Sequence, residues 1–188
     1  MWKYDSIDPI RESLLFRHIL DLSGPVDEEM AKYVHEAMII LQTEGNPDIR
    51  IMITSNGGNV DVGLCIYDLI KNYPGHVTGT VTTFCRSVAM AILQACDYRL
   101  AYFHAHLKIH DVLVDVNKLE ASNVLNPRAF AKFMEQLVQG VKKDSQRINN
   151  IYVKCSGQSK KSISQISKAG QDLSAEEALA YGLIDEIV

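Results

Sequence analysis

The 188-residue sequence lacks the features that mark several common classes of protein. No apolar stretch approaches the roughly 18 residues of a membrane-spanning helix, and the first residues do not form an apolar core behind a basic start. The net charge is only −4, and no dense basic patch suggests a nucleic-acid partner. We therefore expect a cytoplasmic protein with no membrane partner and no nucleic-acid partner.

Cysteine is scarce as well, and it is scattered through apolar contexts. The four cysteines are Cys65, Cys85, Cys96 and Cys155. Because no C-x-x-C spacing occurs, the pattern favours reduced, buried thiols over disulfides or a zinc site. His104, His106 and His110 share one parity on a strand, so a metal site there is an alternative. No carboxylate or cysteine has a convincing ligand spacing, however, and we expect no metal and no other cofactor.

Strand and helix patterns alternate along the first half of the chain. The predicted strands are Leu14–Leu22, Ile49–Thr54 and Val77–Phe84, and the predicted helices are Asp27–Thr43, Val62–Asn72 and one that opens at Ser87. The nearly continuous apolar run of Ile49–Thr54 is typical of a strand covered on both faces. The alternation predicts an α/β fold with a parallel sheet, helices on its faces and a site at the carboxyl ends of the strands. The length fits one domain, residues 1–188.

A much longer helix is predicted from Pro127 to about Cys155, with apolar residues at helical spacing. At 1.5 Å per residue it would be roughly 43 Å long, more than one compact domain needs. We therefore expect part of it to pack on another subunit. The alternative is two helices broken near Gly140. A short helix over Ser159–Ser167 and a capping box that begins at Ser174 are predicted to follow.

Ser87 and His110 are the first candidates for chemistry. A serine at a helix start is usually a simple N-cap. Since an imidazole follows at the end of a nearby strand, Ser87 is also a candidate nucleophile with His110 as its base. The Val88 N–H, at the helix start, would then point at the oxyanion formed by the attack. The Gly57-Gly58 pair is either a tight turn or a place where substrate approaches the backbone closely.

Several stretches together resemble the ClpP family, the proteolytic subunit of the Clp protease, within the ClpP/crotonase superfamily. They are Tyr4-Asp5, FRHILDLSGPVDEE from Phe16, TSNGGNVDVGLCIYD from Thr54, VAMAILQACD from Val88 with KIH ending at His110, and LSAEEALAYGLIDEIV from Leu173. The resemblance covers nearly the whole chain. It implies repeated β-β-α units with a long protruding handle helix, in a handle region of about 112–157.

The same resemblance implies a function. It implies a serine endopeptidase that hydrolyses peptide bonds of unfolded polypeptides inside an oligomeric chamber. Ser87 would be the nucleophile, His110 the base, and the amides of Gly58 and Val88 the oxyanion hole. The partners implied are further copies of the chain, in one ring or two stacked heptamers, and an AAA+ ATPase unfoldase. Because only Met1–Lys3 precede Tyr4, we expect the axial loop that helps to dock this ATPase to be missing.

The chain departs from the family at several positions. Gly170 stands where the family carries its catalytic aspartate, and Asp172 is the expected substitute, with Asp111 and Asp115 as weaker alternatives. Thr83–Arg86 replaces a run of small residues, and DVLVDVNKLE from Asp111 replaces the family's peptide-binding strand. The main alternative function is therefore a catalytically impaired subunit with a structural or regulatory role in a mixed ring. A hydratase or thioesterase of the crotonase kind is a further alternative.

Overall fold

The computed structural model describes residues 8–113 and 127–188. The strands are β1 (Ile19–Ser23), β2 (Ile49–Ser55), β3 (Val77–Arg86), β4 (Tyr98–Ala101), β5 (His106–Lys108), β6 (Leu173–Ser174) and β7 (Glu186–Ile187). The helices are α1 (Pro9–Leu15), α2 (Glu28–Thr43), α3 (Val60–Lys71), α4 (Val88–Leu93), α5 (Pro127–Ser156), α6 (Lys160–Ala169) and α7 (Ala175–Ala180). This architecture confirms the predicted α/β class.

The described strands form one seven-stranded sheet. Five of them follow the order β1-β2-β3-β4-β7, and each is parallel to its neighbours in this order. The long strand β3 has two successive partners on one edge: its first part pairs with β4, and its last three residues pair in parallel with β5. The register sets Phe84 opposite His106 and Arg86 opposite Lys108. The residues that follow β3 and β5 therefore lie side by side at the carboxyl edge of the sheet.

The burial of β2 differs from the sequence prediction. Ile49, Ile51 and Ile53 are buried, whereas Arg50 is exposed and Met52 is half-buried. This alternation means that one face of the strand packs into the core with helices α2, α3 and α4, and the other face does not. The prediction that β2 is covered on both faces is therefore wrong. An apolar residue such as Met52 can lie on a partly open face.

The first predicted strand also begins later than expected. Helix α1 occupies Pro9–Leu15, and β1 starts only at Ile19. The Asp8 side chain caps this helix by accepting hydrogen bonds from the Ile10 N–H at 2.9 Å and the Arg11 N–H at 3.3 Å. Proline at the first helical position favours the same start, because its missing N–H costs nothing there.

Helix α5 is continuous over its 30 residues and passes through Gly140 without a break. At 1.5 Å per residue it is about 45 Å long. The prediction of one long helix is confirmed, and the alternative of two helices is wrong. Ile148 and Tyr152, both in the last third, are its buried residues. The first two thirds of α5 contain no buried residue, while residues 114–126 of the predicted handle region lie outside the described residues.

The later elements match their predictions. The capping box at Ser174 is confirmed, since the Glu177 N–H donates to Ser174 Oγ at 3.1 Å and the Ser174 N–H donates to Glu177 Oε2 at 2.8 Å.

Cys85 and Cys96 are free and buried, and burial raises the pKa of both thiols, to about 12 for Cys96. Cys65 is instead exposed. Over 8–113 and 127–188 no helix combines the length and hydropathy needed to cross a bilayer.

Candidate active site

Ser87 connects β3 to α4 in a conformation that few serines adopt. Its backbone angles are φ +58° and ψ −134°, a left-handed φ that disfavours residues with a Cβ. The Ser87 N–H donates to the Lys108 carbonyl at 2.9 Å, and the Tyr152 hydroxyl donates to the Ser87 carbonyl at 3.1 Å. The side chain makes no capping hydrogen bond. Ser87 therefore stands at the N-cap position with its main chain fixed and its hydroxyl not used for capping.

His110 follows β5 by two residues and is half-buried. Because the Ser87 N–H is hydrogen-bonded to the Lys108 carbonyl, His110, two residues after Lys108, lies beside the junction of β3 and α4. The Nδ1 atom of His110 lies 2.6 Å from the Asp111 carbonyl oxygen. A carbonyl oxygen can only accept, so Nδ1 is the donor in this contact. In a neutral ring with this contact, Nε2 is the nitrogen that can accept a proton, as a general base must.

The Gly57-Gly58 loop packs against both Ser87 and the segment before α2. A Cβ built on Gly57 would lie 2.6 Å from Ser87 Cβ and 3.2 Å from Ser87 Oγ. A Cβ on Gly58 would lie 2.3 Å from the Val26 carbonyl oxygen. Neither position has room for a side chain, because Ser87 and the backbone of Val26 occupy the space. The backbone of the loop thus lies directly beside the Ser87 hydroxyl.

Two backbone amides near Ser87 remain available. The loop pairs with Val26 through the Val26 N–H to the Gly57 carbonyl at 3.0 Å and the Asn59 N–H to the Val26 carbonyl at 2.8 Å. Neither of these hydrogen bonds uses the N–H of Gly58. Within the part of the chain that the structure describes, neither this amide nor that of Val88 donates a hydrogen bond. Unpaired amides beside a hydroxyl are what an oxyanion hole requires.

Gly170 lies opposite His110. It ends α6 in the left-handed conformation, at φ +55°, and its N–H donates to the Ile166 carbonyl at 3.0 Å. A Cβ built on Gly170 would lie 3.7 Å from His110 Cβ, an ordinary van der Waals contact. The position that faces the imidazole therefore has space for a side chain, and this chain has none there.

Asp172, the predicted substitute for the missing acid, has a different partner. Its Oδ1 accepts a hydrogen bond from Arg86 Nε at 2.7 Å. This hydrogen bond holds the pKa of Asp172 below its ordinary value, so the carboxyl is ionised at neutral pH. No hydrogen bond joins Asp172 to His110 among the described residues. Its role as the acid of the site stays a prediction.

The two weaker alternatives for the acid differ from each other. Asp111 contributes its main-chain carbonyl to His110, and no hydrogen bond from its carboxylate to His110 occurs in the described structure. Asp115 lies outside the described residues. The contact partner of His110 Nδ1 is thus a neutral oxygen from the adjacent residue.

The histidines before His110 do not gather into a metal centre. His104 and His106 are exposed, and the His104 ring packs edge-on against Phe103 with centroids 5.0 Å apart. In residues 8–113 and 127–188 no group of three or more His, Cys, Asp or Glu side chains is arranged to hold a metal ion. The structure therefore gives the alternative of a metal site no support.

Sequence reasoning missed two contacts of this site. One is the Asp111 carbonyl on His110, which no residue type could indicate because every residue carries a carbonyl. The other is Tyr152, whose hydroxyl bonds to the main chain at Ser87. Its position in the apolar stripe of α5 was the available signal, since a buried tyrosine usually finds a hydrogen-bond partner.

Comparisons with known proteins identify the fold and the family. The structure is similar to a solved mutant of ClpP1 from Listeria monocytogenes, with a TM-score of 0.80, 24% sequence identity and coverage of 95% of each chain. At that identity the likeness shows the fold, which is therefore of the ClpP type. The family model described as Clp protease matches residues 3–188. The chain belongs to the Clp protease family.

Proposed function

We propose that this protein is a serine peptidase that hydrolyses peptide bonds of unfolded polypeptides. The observation that carries the proposal is Ser87, whose left-handed backbone leaves its hydroxyl uncapped beside the strand that leads to His110. Residues with a Cβ that are held in sparsely populated backbone conformations cluster at active sites.

The proposed reaction gives each of these groups one role. Ser87 Oγ attacks the carbonyl carbon of the peptide bond while His110 Nε2 takes its proton and then passes it to the leaving amine. The amides of Gly58 and Val88 stabilise the negative oxygen of the tetrahedral intermediate. Water then repeats the steps on the acyl-enzyme, with His110 again as base, and frees Ser87.

The third member of a catalytic triad is an acid, which orients the imidazole and stabilises its charged form. In this proposal the Asp111 carbonyl performs only the orientation. A carbonyl acceptor at 2.6 Å fixes the tautomer of His110. Being neutral, it stabilises the positively charged imidazole less than a carboxylate would. Loss of the orienting acid costs on the order of ten-thousandfold in other triads. We therefore propose a slow peptidase, in which part of that loss is recovered by the carbonyl.

A second candidate function is a non-catalytic subunit of a mixed ring. The observation that favours it is Gly170, which faces His110 without a side chain. A chain that needs no catalysis has no reason to keep the acid. It would equally have no reason to keep Ser87 strained and its hydroxyl free of capping, and for this reason the peptidase is our first proposal.

Hydrolysis of an unstructured, fluorescently labelled protein separates the two candidates. The wild type is expected to cleave it slowly, and Ser87→Ala is expected to lower the rate roughly a thousandfold or to the background. Ser159→Ala is the matched control, because Ser159 caps α6 by accepting from the Ser162 N–H at 3.1 Å. That variant should lose about 1 kcal/mol of stability and no activity. Equal rates for wild type and Ser87→Ala would contradict the peptidase proposal.

We also propose that the chain assembles into a ring, as proteins of this family do. The first two thirds of α5 bear an apolar stripe with no buried member, namely Phe130, Phe133, Met134, Leu137, Val138 and Val141. Val138 is 45% exposed. A helix of this length and character is stable when a second subunit covers the stripe. Two stacked heptamers are the form that the family likeness suggests.

Light scattering tests the assembly. The wild type is expected to have many times the 21.0 kDa mass of one chain. Val138→Asp should shift it to smaller species, because a carboxylate in an apolar interface is costly to bury. Gln139→Asp, on an exposed position of the same helix, should leave the mass unchanged. A monomeric wild type at micromolar concentration would contradict the proposal.

Two further parts of the proposal concern the partner and the location. An AAA+ ATPase that unfolds and delivers substrate is the partner to search for. A cytoplasmic location agrees with free, buried thiols at Cys85 and Cys96, which a reducing compartment maintains.

A further inference from the structure

Arg86 is the last residue of β3 and directly precedes Ser87. Its guanidinium contacts three groups. Nε donates to Asp172 Oδ1 at 2.7 Å, Nη1 donates to Asn56 Oδ1 at 2.9 Å, and Cζ lies 5.0 Å from the centroid of the Phe84 ring. A planar group held at two nitrogens and one face has little freedom to move.

The hydrogen-bond partners of Arg86 belong to the two loops that flank the Ser87 and His110 pair. Asn56 directly precedes Gly57, whose backbone packs against the Ser87 side chain. Asp172 follows Gly170, which lies opposite His110, by two residues. The partners are 30 and 86 residues away from Arg86 in the sequence. One side chain thus connects both loops to the strand that ends at the nucleophile.

The contribution of these contacts to overall stability is small. The side chains of Arg86 and Asp172 are 29% and 43% exposed, and exposed ion pairs stabilise proteins little. The contacts matter for geometry, because the oxyanion amide of Gly58 and the turn beside His110 must stay fixed relative to Ser87. A displacement of about 1 Å at an active site can cost roughly a hundredfold in rate.

We propose that Arg86 is a positioning residue, which holds the Gly57-Gly58 loop and the Gly170–Asp172 loop in place around Ser87 through its hydrogen bonds to Asn56 and Asp172. This inference rests on the proposed peptidase function. It also gives Asp172 a role other than that of the acid for His110: its carboxylate anchors the guanidinium and balances the charge that β3 brings next to the nucleophile.

The experiment measures kcat and KM of peptide hydrolysis, and the rate of fluorophosphonate labelling, for the assembled protein. Arg86→Met and Asp172→Asn are each expected to lower kcat and the labelling rate about tenfold, with KM changed less than about twofold. Arg86→Lys keeps the positive charge but lacks the planar set of donors of a guanidinium. Its kcat should lie between those of the wild type and Arg86→Met. The double variant Arg86→Met with Asp172→Asn should be no slower than the slower single variant, because the two residues act as one unit.

Arg147→Met is the matched control, since Arg147 also bridges distant residues by donating to Asp61 at 3.4 Å and Asp144 at 3.2 Å. It should keep the wild-type kcat. Light scattering and the melting temperature establish that each variant is assembled and folded. If Arg86→Met does not fold, Arg86→Lys and Asp172→Asn carry the test, since Asp172 is on the surface.

Three results would overturn the inference while leaving the peptidase intact. They are an unchanged kcat in Arg86→Met and Asp172→Asn, an effect on KM alone, and additive losses in the double variant. Additive losses, with a fall of roughly ten-thousandfold in Asp172→Asn, would instead identify Asp172 as the acid of His110. A wild type with neither hydrolysis nor labelling is a distinct outcome, which contradicts the proposed function itself and this inference with it.

Discussion

The two sides of the candidate site are built differently. On the nucleophile side, Ser87 and His110 extend from β3 and β5, which are hydrogen-bonded to each other in a fixed register. On the acid side, Gly170 and Asp172 belong to the short connection between α6 and β6. A position next to a strand ladder cannot shift alone, because the ladder bonds of its neighbours would break, whereas the end of a helix can change its course through a single glycine.

The two sides also differ in the groups that each contains. The nucleophile side has a serine with a left-handed φ, an imidazole bonded through Nδ1 to the Asp111 carbonyl, and two amides that donate no hydrogen bond within the described residues. The acid side has a glycine opposite the imidazole and an aspartate bonded to Arg86. We infer that a change on the acid side can leave the geometry of Ser87 and His110 intact, since different elements hold the two.

The largest effect is expected on the nucleophile side, from His110→Ala. Without the base, the rate at which a fluorophosphonate labels Ser87 should fall by a factor of roughly one hundred to ten thousand. His76→Ala is the control: His76 precedes β3, whereas Ser87 follows it, and His76 Nδ1 lies 3.7 Å from Asp97 Oδ2. An undiminished labelling rate in His110→Ala would show that this side is not the reactive one.

A smaller effect, of opposite sign, is expected on the acid side from Gly170→Asp. The new carboxylate would face His110 and stabilise its charged form, and we expect hydrolysis to rise roughly tenfold or more. The left-handed backbone should lower stability by about 1 kcal/mol, because glycine alone adopts it without cost.

Gly157→Asp controls for that strain. Gly157 also has a left-handed backbone, with φ +70°, and a Cβ at this position would have open space around it and no contact with His110. The variant should lose similar stability and gain no activity. A folded Gly170→Asp protein with the wild-type rate would mean that the acid side does not limit the reaction.

The same contrast explains what could be predicted from the sequence. The positions of Ser87 and His110 followed from strand and helix periodicity, because parallel strands bring their carboxyl ends to one edge. The pairing of Arg86 with Asp172 could not be predicted, since it joins residues 86 apart whose loops have no periodic pattern. Helix α1 was missed because its cap, Asp8, and Pro9 lie in a short segment that precedes any apolar pattern.

The central claim is that Ser87 is a nucleophile although Gly170 presents no carboxylate to His110. The most direct measurement is mass spectrometry of the purified wild-type protein after reaction with a fluorophosphonate, with the modified peptide sequenced. We expect one adduct, on Ser87, formed slowly and absent from Ser87→Ala. An unmodified protein, or an adduct on a different serine, would contradict the claim.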